Sequence, residues 1–190
     1  MLRQNQIAQV IDIQEATYKP RRGEILREQL PQIKNIPEYA SIITGMRRVG
    51  KSTLLRQIAT SKKYEHVTYL NFDDIRLTGF ESDDFNRLYN EIRARGSKEL
   101  FFDEIQLVKG WEIFIHQLLR EDYTIYISGS NATLLSVDLG THLTGRHLQN
   151  ELFPFSYTEF LTFEKMEASA ASFQQYMLKG GIPEYLRTQE

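Results

Sequence analysis

The sequence predicts an α/β fold, a parallel sheet covered by helices on both faces. Three observations carry this. Short apolar, β-prone runs alternate along the chain with segments whose apolar residues recur at helical spacing. One such run, 39–44, passes straight through a glycine into a helical pattern. Acidic or polar residues stand directly after several of the apolar runs, where the strand ends of a parallel sheet collect functional groups.

Taken in order, residues 1–18 set Ile7, Val10, Ile11 and Ile13 among polar neighbours and read as a short helix or a strap on the core. Lys19-Pro20-Arg21-Arg22-Gly23 breaks that pattern. Residues 24–34 read as a helix with Ile25, Leu26, Leu30 and Ile33 on one face, and Pro37 falls in the loop that follows. Residues 39–44 form the first strand, and a helix then runs through Leu54, Leu55, Ile58 and Ala59. A second strand at 66–72 ends in Asp73-Asp74, and 83–95 is helical, with Phe85, Leu88, Tyr89 and Ile92 at helical spacing. Leu100-Phe101-Phe102 is a short strand ending in Asp103-Glu104. Residues 111–121 form an amphipathic helix that Trp111 opens, packing its ring against the sheet. The fourth strand, 124–127, ends in Ser128-Gly129-Ser130-Asn131, and 148–153 supplies a fifth. Beyond Pro154 the pattern is helical at 156–162 and 169–179, with a sharp break at Gly180-Gly181-Ile182-Pro183. The chain thus divides into an N-terminal strap or helix (1–20), a core (21–154) and a helical lid or linker (155–190).

Composition narrows the function. With 190 residues, 41% of them hydrophobic, the chain can build one domain with a sizeable core. Lys+Arg 23 nearly balances Asp+Glu 25, and a net charge of -2 offers no bulk support for binding nucleic acid. The absence of cysteine excludes disulfides, thiolate nucleophiles and cysteine-based zinc sites. His66, His116, His142 and His147 show no metal-ligand spacing. The N-terminus does not read as a signal peptide, and no apolar run approaches the ~18 residues of a membrane span. A cytoplasmic protein is expected.

The segment Gly45-Met46-Arg47-Arg48-Val49-Gly50-Lys51-Ser52 matches G-x-x-x-x-G-K-[ST] at every fixed position, with a strand before and a helix after. The glycines let the backbone curl so that several N–H groups converge on phosphate oxygens. The following helix adds the positive end of its dipole. Lys51 supplies a mobile ammonium for the β- and γ-phosphates, Ser52 a hydroxyl for Mg²⁺, and Thr53 a reach to the α-phosphate. Arg47, Arg48 and Val49 fill the variable positions and are nucleotide-binding candidates with the loop. For the two arginines the alternative is a solvated surface or a salt bridge across the loop.

A phosphate loop of this kind needs a carboxylate on a neighbouring strand end to hold Mg²⁺. Asp103 sits at such an end, and Glu104, next to it, is placed to polarise the water that attacks the γ-phosphate. Asp73-Asp74 is the competing pair and reads instead as a loop or helix cap after a strand. No N-K-x-D segment is present to read guanine, which favours ATP over GTP. The polar tip of the fourth strand brings Ser130 or Asn131 toward the attacking water, or to the cap of the next helix, and the two roles are compatible. Arg146 is a candidate for neutralising transition-state charge, within its own chain or across to a neighbour, against a surface or locally paired arginine.

With these pieces assembled, the chain resembles a bacterial and archaeal family of AAA+-superfamily ATPases whose members often carry a further C-terminal domain. GMRRVGKSTLL (45–55), FFDEIQLVKGW (101–111), ISGSNATLL (127–135), LTGRH (143–147), LFPFSYTEFL (152–161) and KGGIPEYL (179–186) carry the resemblance, which covers about residues 20–186. It implies a P-loop sheet of the additional-strand (ASCE) class in the order 5-1-4-3-2, with ATP and Mg²⁺ as ligands and Lys51, Ser52, Asp103 and Glu104 as site residues. It also strengthens the case for Arg146. Members usually continue past the length of this chain, so a fragment or a short form is expected.

The function that follows is Mg-dependent ATP hydrolysis coupled to movement of an appended domain, a protein client or neighbouring copies in a homo-oligomer. A slow-turnover ATP/ADP switch and a nucleic-acid-handling ATPase are the alternatives. The latter rests only on Arg21-Arg22, Arg47-Arg48 and Lys62-Lys63.

Overall fold

The computed structural model describes residues 1–18, 23–61, 66–129 and 145–188. Within them, strands β1 (Ala40–Thr44), β2 (Val67–Asn71), β3 (Glu99–Asp103), β4 (Thr124–Ser128) and β5 (His147–Glu151) form one sheet. Its order is β2-β3-β4-β1-β5 and every neighbouring pair is parallel. This is the expected 5-1-4-3-2 read from the other edge. The helices are α1 (Gln4–Thr17), α2 (Lys51–Ser61), α3 (Asp84–Arg95), α4 (Trp111–Arg120), α5 (Tyr157–Glu164), α6 (Ala170–Lys179) and α7 (Pro183–Thr188).

The period-2 alternation of the strands divides the core in two. Leu70, Leu100, Phe102, Ile125 and Ile127 face a layer built from α1, α3 and α4, where Trp111 is buried beside Ile7, Leu88 and Leu118. Tyr69, Phe101, Tyr126 and Ile43 face the opposite layer, built largely from Leu54, Leu55 and Ile58 of α2. Burial on both faces explains why the strands read as nearly continuous apolar runs. A smaller cluster of Phe155, Phe160 and Leu186, with Ile25, Phe163 and Tyr176 against it, holds the C-terminal helices.

One expected element does not form. In place of a helix over 24–34 the chain is irregular and makes only a 3-10 turn at Leu30–Gln32. Pro31 lies inside the proposed helix, where it has no N–H to donate and its ring clashes with the preceding turn. The backbone of 25–28 also has other partners. Ile25 O accepts from Gln57 Nε2 (2.8 Å), the Arg27 N–H donates to Gln57 Oε1 (3.1 Å), and the Glu28 N–H donates to Glu159 Oε1 (2.8 Å). Tertiary side-chain bonds replace the helical ladder. In α1, Ile13 is exposed, and the buried position next to it belongs to Gln14, which both donates to and accepts from the Asn71 backbone.

Candidate functional site

The carboxyl ends of the strands carry the polar residues that the fold brings together. β1 ends at Thr44, and the chain turns through 45–50 before entering α2 at Lys51. The turn uses left-handed backbone at Arg48 (φ 68) and Gly50 (φ 101). At Gly45 a Cβ would lie 2.5 Å from the Leu152 carbonyl, because the Leu152 N–H donates to Thr44 O (2.7 Å) and draws the exit of β5 across the loop. Glycine is required there by contact as well as by conformation. Lys51 is only 7% exposed, and its ammonium donates to Gly45 O (3.0 Å) and Met46 O (3.1 Å). Burial lowers its pKa, and the negative charges of Glu104 and Asp103 offset part of that effect. Ser52 and Thr53 follow on the first turn of the helix and line the same cavity as Lys51.

The sheet register sets Asp103 opposite Ser128 on β4, and Ser128 opposite Ile43 on β1. β4 therefore separates the acidic strand from the loop strand by one strand width, ~5 Å on either side. Asp103 is 1% exposed and accepts hydrogen bonds from Tyr69 OH (3.2 Å) and from Ser128 Oγ. Both donors hold the carboxylate in one orientation. Glu104 follows in the left-handed region (φ 56), with its N–H on Ser128 O (2.9 Å) and its side chain accepting from Gln106 Nε2. Burial raises the Glu104 pKa. The hydrogen bond from Gln106 and the charge of Lys51 work against that rise, and Asp103 adds to it. The competing acid pair behaves as a cap: Asp74 accepts from the Arg76 backbone N–H (2.9 Å) at the start of a 3-10 turn.

A cavity of about 390 Å³ opens between this loop and the C-terminal helices, within the range of ligand sites. One wall is Arg47, Arg48, Gly50, Lys51, Ser52, Thr53 and Glu104, and the other includes Glu24, Ile25, Phe155, Phe163, Pro183 and Arg187. Six basic side chains line it against three acidic ones, a balance suited to an anionic ligand. Ile25, Phe155 and Phe163 add apolar surface to the same lining, which suits a ligand that joins a nucleoside to phosphates. The donor set also fits Mg²⁺, which typically uses one or two protein oxygens and completes its shell from phosphates and water. Ser52 and Asp103 are such oxygens, and the described residues contain no cluster of three or more His, Asp or Glu that would cage a metal alone.

Sequence reasoning did not single out the second wall. Glu24, Arg27, Phe155, Phe163 and Arg187 are spread over both ends of the chain, and no spacing rule connects them to one another or to Arg56 of α2, which lines the cavity with them. Ser128 and Tyr69 also escaped notice, although the polar end of β4 was flagged at Ser130 and Asn131. Those two residues, with Arg21, Arg22, Lys62 and Lys63, lie outside the described residues.

The structure separates Arg146 from the cavity. It precedes β5 at the amino end of the sheet, where its carbonyl accepts from the Ala40 N–H (3.1 Å) and its guanidinium lies 3.9 Å from Glu38. The five residues of β1 intervene, ~17 Å at 3.3 Å each, so Arg146 does not reach the loop of its own chain. Of the two loop arginines, Arg48 pairs with Glu184 of α7 (3.5 Å).

A family model described as an AAA domain matches residues 37–161. A protein of Methanocaldococcus jannaschii is 39% identical over 134 residues, 70% of this chain and 30% of its own length. One from Haemophilus influenzae is 32% identical over 176 residues, 86% of this chain and 44% of its own length. Both are described only as uncharacterised, and the chain spans less than half of either. The fold is shared with the S. cerevisiae Hsp104–ADP complex (TM-score 0.58, 16% identity, 85% of this chain and 25% of that one). It is shared also with Hsp104 bound to casein (TM-score 0.54, 13% identity, 80% and 30%) and with katanin (TM-score 0.50, 12% identity, 79% and 61%).

Proposed function

Since the chain belongs to the AAA domain family of P-loop ATPases, we propose that its cavity binds Mg-ATP and hydrolyses it to ADP and phosphate. The observation that carries this is convergence. Lys51 at the start of α2, and Asp103 and Glu104 at the end of β3 beyond the intervening β4, lie within electrostatic reach of one another beside the cavity that Lys51 and Glu104 line.

In this reading the 45–50 backbone and the α2 N-terminus receive the phosphates, and Lys51 leaves its loop carbonyls for the β- and γ-oxygens. Ser52 and Asp103 would hold Mg²⁺, which would supply positive charge to offset the negative charge of the phosphates. Glu104 orients a water and accepts its proton as the oxygen bonds to the γ-phosphorus. The bond from that phosphorus to the β-γ bridging oxygen breaks, and ADP leaves with the electron pair. Arg146, too far away in its own chain, serves the site of a neighbouring copy. Hydrolysis then drives movement of an appended domain or a client. Two facts support that part: the match fills less than half the length of either relative, and one fold neighbour was solved with casein bound.

The test is Mg-dependent ATP turnover measured across protein concentrations, with Lys51→Ala and Glu104→Gln alongside. Hydrolysis at this site requires both variants to lose turnover, and a neighbour's arginine requires specific activity to rise with concentration. Wild-type protein that binds ATP yet turns it over no faster than Glu104→Gln sinks the hydrolysis reading and leaves a nucleotide switch.

A further inference from the structure

Arg27 makes the densest set of polar contacts beside the cavity, and the chemistry above does not use it. Its side chain is 4% exposed. Nη1 donates to the Val49 carbonyl inside the phosphate loop (2.9 Å) and Nη2 to the Phe153 carbonyl at the exit of β5 (2.7 Å). Nε donates to Glu159 Oε1 (2.9 Å), and the guanidinium lies 5.1 Å from the centre of the Phe155 ring. Glu159 is equally committed. It accepts from the Glu28 N–H and, through Oε2, from the Ser156 N–H (2.9 Å), closing a capping box at the start of α5.

A guanidinium is a rigid planar fork, so its three acceptors cannot shift independently without breaking a charge-assisted bond. The C-terminal helices hang from the segment it clamps. The Phe155 N–H donates to Gly181 O (2.7 Å), its carbonyl accepts from Tyr176 OH (2.8 Å), and a Cβ on Gly181 would run into the Phe155 backbone. Any shift of 153–159 therefore carries α6 and α7, and with them the second wall of the cavity. The Arg27–Glu159 pair is neutral overall, so its effect on an anionic ligand comes from geometry rather than charge.

We propose that Arg27 and Glu159 are positioning residues that couple nucleotide in the phosphate loop to the placement of α5–α7. The proposal rests on the nucleotide reading above. A loop closed on phosphates fixes the Val49 carbonyl, which through Arg27 and Glu159 fixes the helices that complete the cavity. Coupling of this kind is reciprocal: nucleotide orders the helices as much as the helices tighten nucleotide.

The test measures two quantities on the whole chain: affinity for a non-hydrolysable ATP analogue with Mg²⁺, and hydrogen exchange at 157–188 with and without it. Glu159→Gln keeps a side chain that can close the capping box but removes the charge facing Arg27. Arg27→Lys keeps the charge but cannot span three acceptors. Arg76→Ala, which removes an ion pair with Asp74 outside the cavity lining, is the control. Wild-type and Arg76→Ala protein should show slowed exchange throughout 157–188 when the analogue binds. Glu159→Gln and Arg27→Lys should bind about tenfold more weakly and lose that nucleotide-dependent protection while keeping their far-UV spectrum. Wild-type affinity with full protection in both variants overturns the coupling, as does weakened affinity with protection intact. A wild-type protein that binds no nucleotide overturns the proposed function and the coupling together.

Discussion

The two walls of the cavity are built on different principles. The first is local: a single turn from β1 into α2 supplies Lys51, Ser52 and Thr53, and the next strands of a regular sheet supply Asp103 and Glu104. The second is assembled from residues 23–27 and 155–187, brought together by one buried ion pair and a small apolar cluster. A wall made of consecutive residues keeps its geometry as long as the sheet stands. A wall made of distant segments depends on a few long-range ties, and that makes it the part free to respond to a ligand.

If that division is right, damage to the first wall should remove chemistry and leave architecture. Glu104→Gln has the largest expected effect: single-turnover hydrolysis falls by roughly 10²- to 10⁴-fold, the usual worth of a positioned general base. Nucleotide affinity should hold within a few-fold, since in the proposed reaction the replaced carboxylate acts on water rather than on phosphate. Loss of affinity in step with loss of turnover would mean that Glu104 helps shape the phosphate site.

Damage to the second wall should do the reverse. Arg27 and Glu159 are 4% and 5% exposed, and removing one partner of such a pair strands the other without a counter-charge. Arg27→Ala should cost about 3–5 kcal/mol of folding stability, read from urea denaturation at constant m-value. A cost below ~1 kcal/mol would show that the segment rearranges freely and that the walls are not tied in this way.

The same contrast decides what was legible. The strands, the loop and the Asp103–Glu104 pair followed from patterns of fewer than a dozen residues, because parallel strands buried on both faces leave a continuous apolar signature and the loop leaves its glycines. The strand order was implied by the family resemblance. The helix expected at 24–34 failed because 25–28 spends its backbone bonds on Gln57 and Glu159, 30 and 131 positions away for the bonds made by the Arg27 and Glu28 N–H groups. Propensity cannot register partners so distant. As a sequence, the run Phe155-Ser156-Tyr157-Thr158-Glu159 read only as the start of a helix at 156–162, though it also helped to carry the resemblance. In the fold its serine and glutamate cap α5, and its glutamate also receives Arg27. Arg146 could be singled out as a residue type, but only the register of β5 against β1 assigns it to the far end of the sheet.

The electrostatics of the first wall sharpen the comparison through pH. Burial raises the Glu104 pKa, so its carboxylate takes up a proton at higher pH than an ordinary glutamate. As the base must be ionised, hydrolysis should fail on the acid side at a pH above the usual ~4.3, and a limb at or below that value would contradict the buried setting. The stability sign runs opposite to activity. Between the unfolded and folded pKa values the folded chain binds more protons, so Glu104 lowers stability as pH rises through that window. Glu104→Gln should therefore be slightly more stable than wild type near neutral pH while being nearly inert, with thermal unfolding as the readout.

The smallest effect belongs to an exposed tie between the walls. Arg48 and Glu184 lie 3.5 Å apart, but their side chains are 62% and 37% exposed. Water screens such a pair, and ordering two flexible side chains offsets most of its attraction, so Arg48→Ala should change stability by under ~1 kcal/mol. The loop supplies a further reason for a small change. Arg48 holds φ 68, a conformation costly for any side chain with a Cβ, so Arg48→Gly would relieve strain as it removes the ion pair. Arg48→Gly should then match or exceed Arg48→Ala in stability, and both should unfold near the wild-type midpoint. A large loss in Arg48→Ala, absent when Glu184 is already alanine, would show the exposed tie rather than the buried one holding the second wall, and the contrast between the two would have to be reversed.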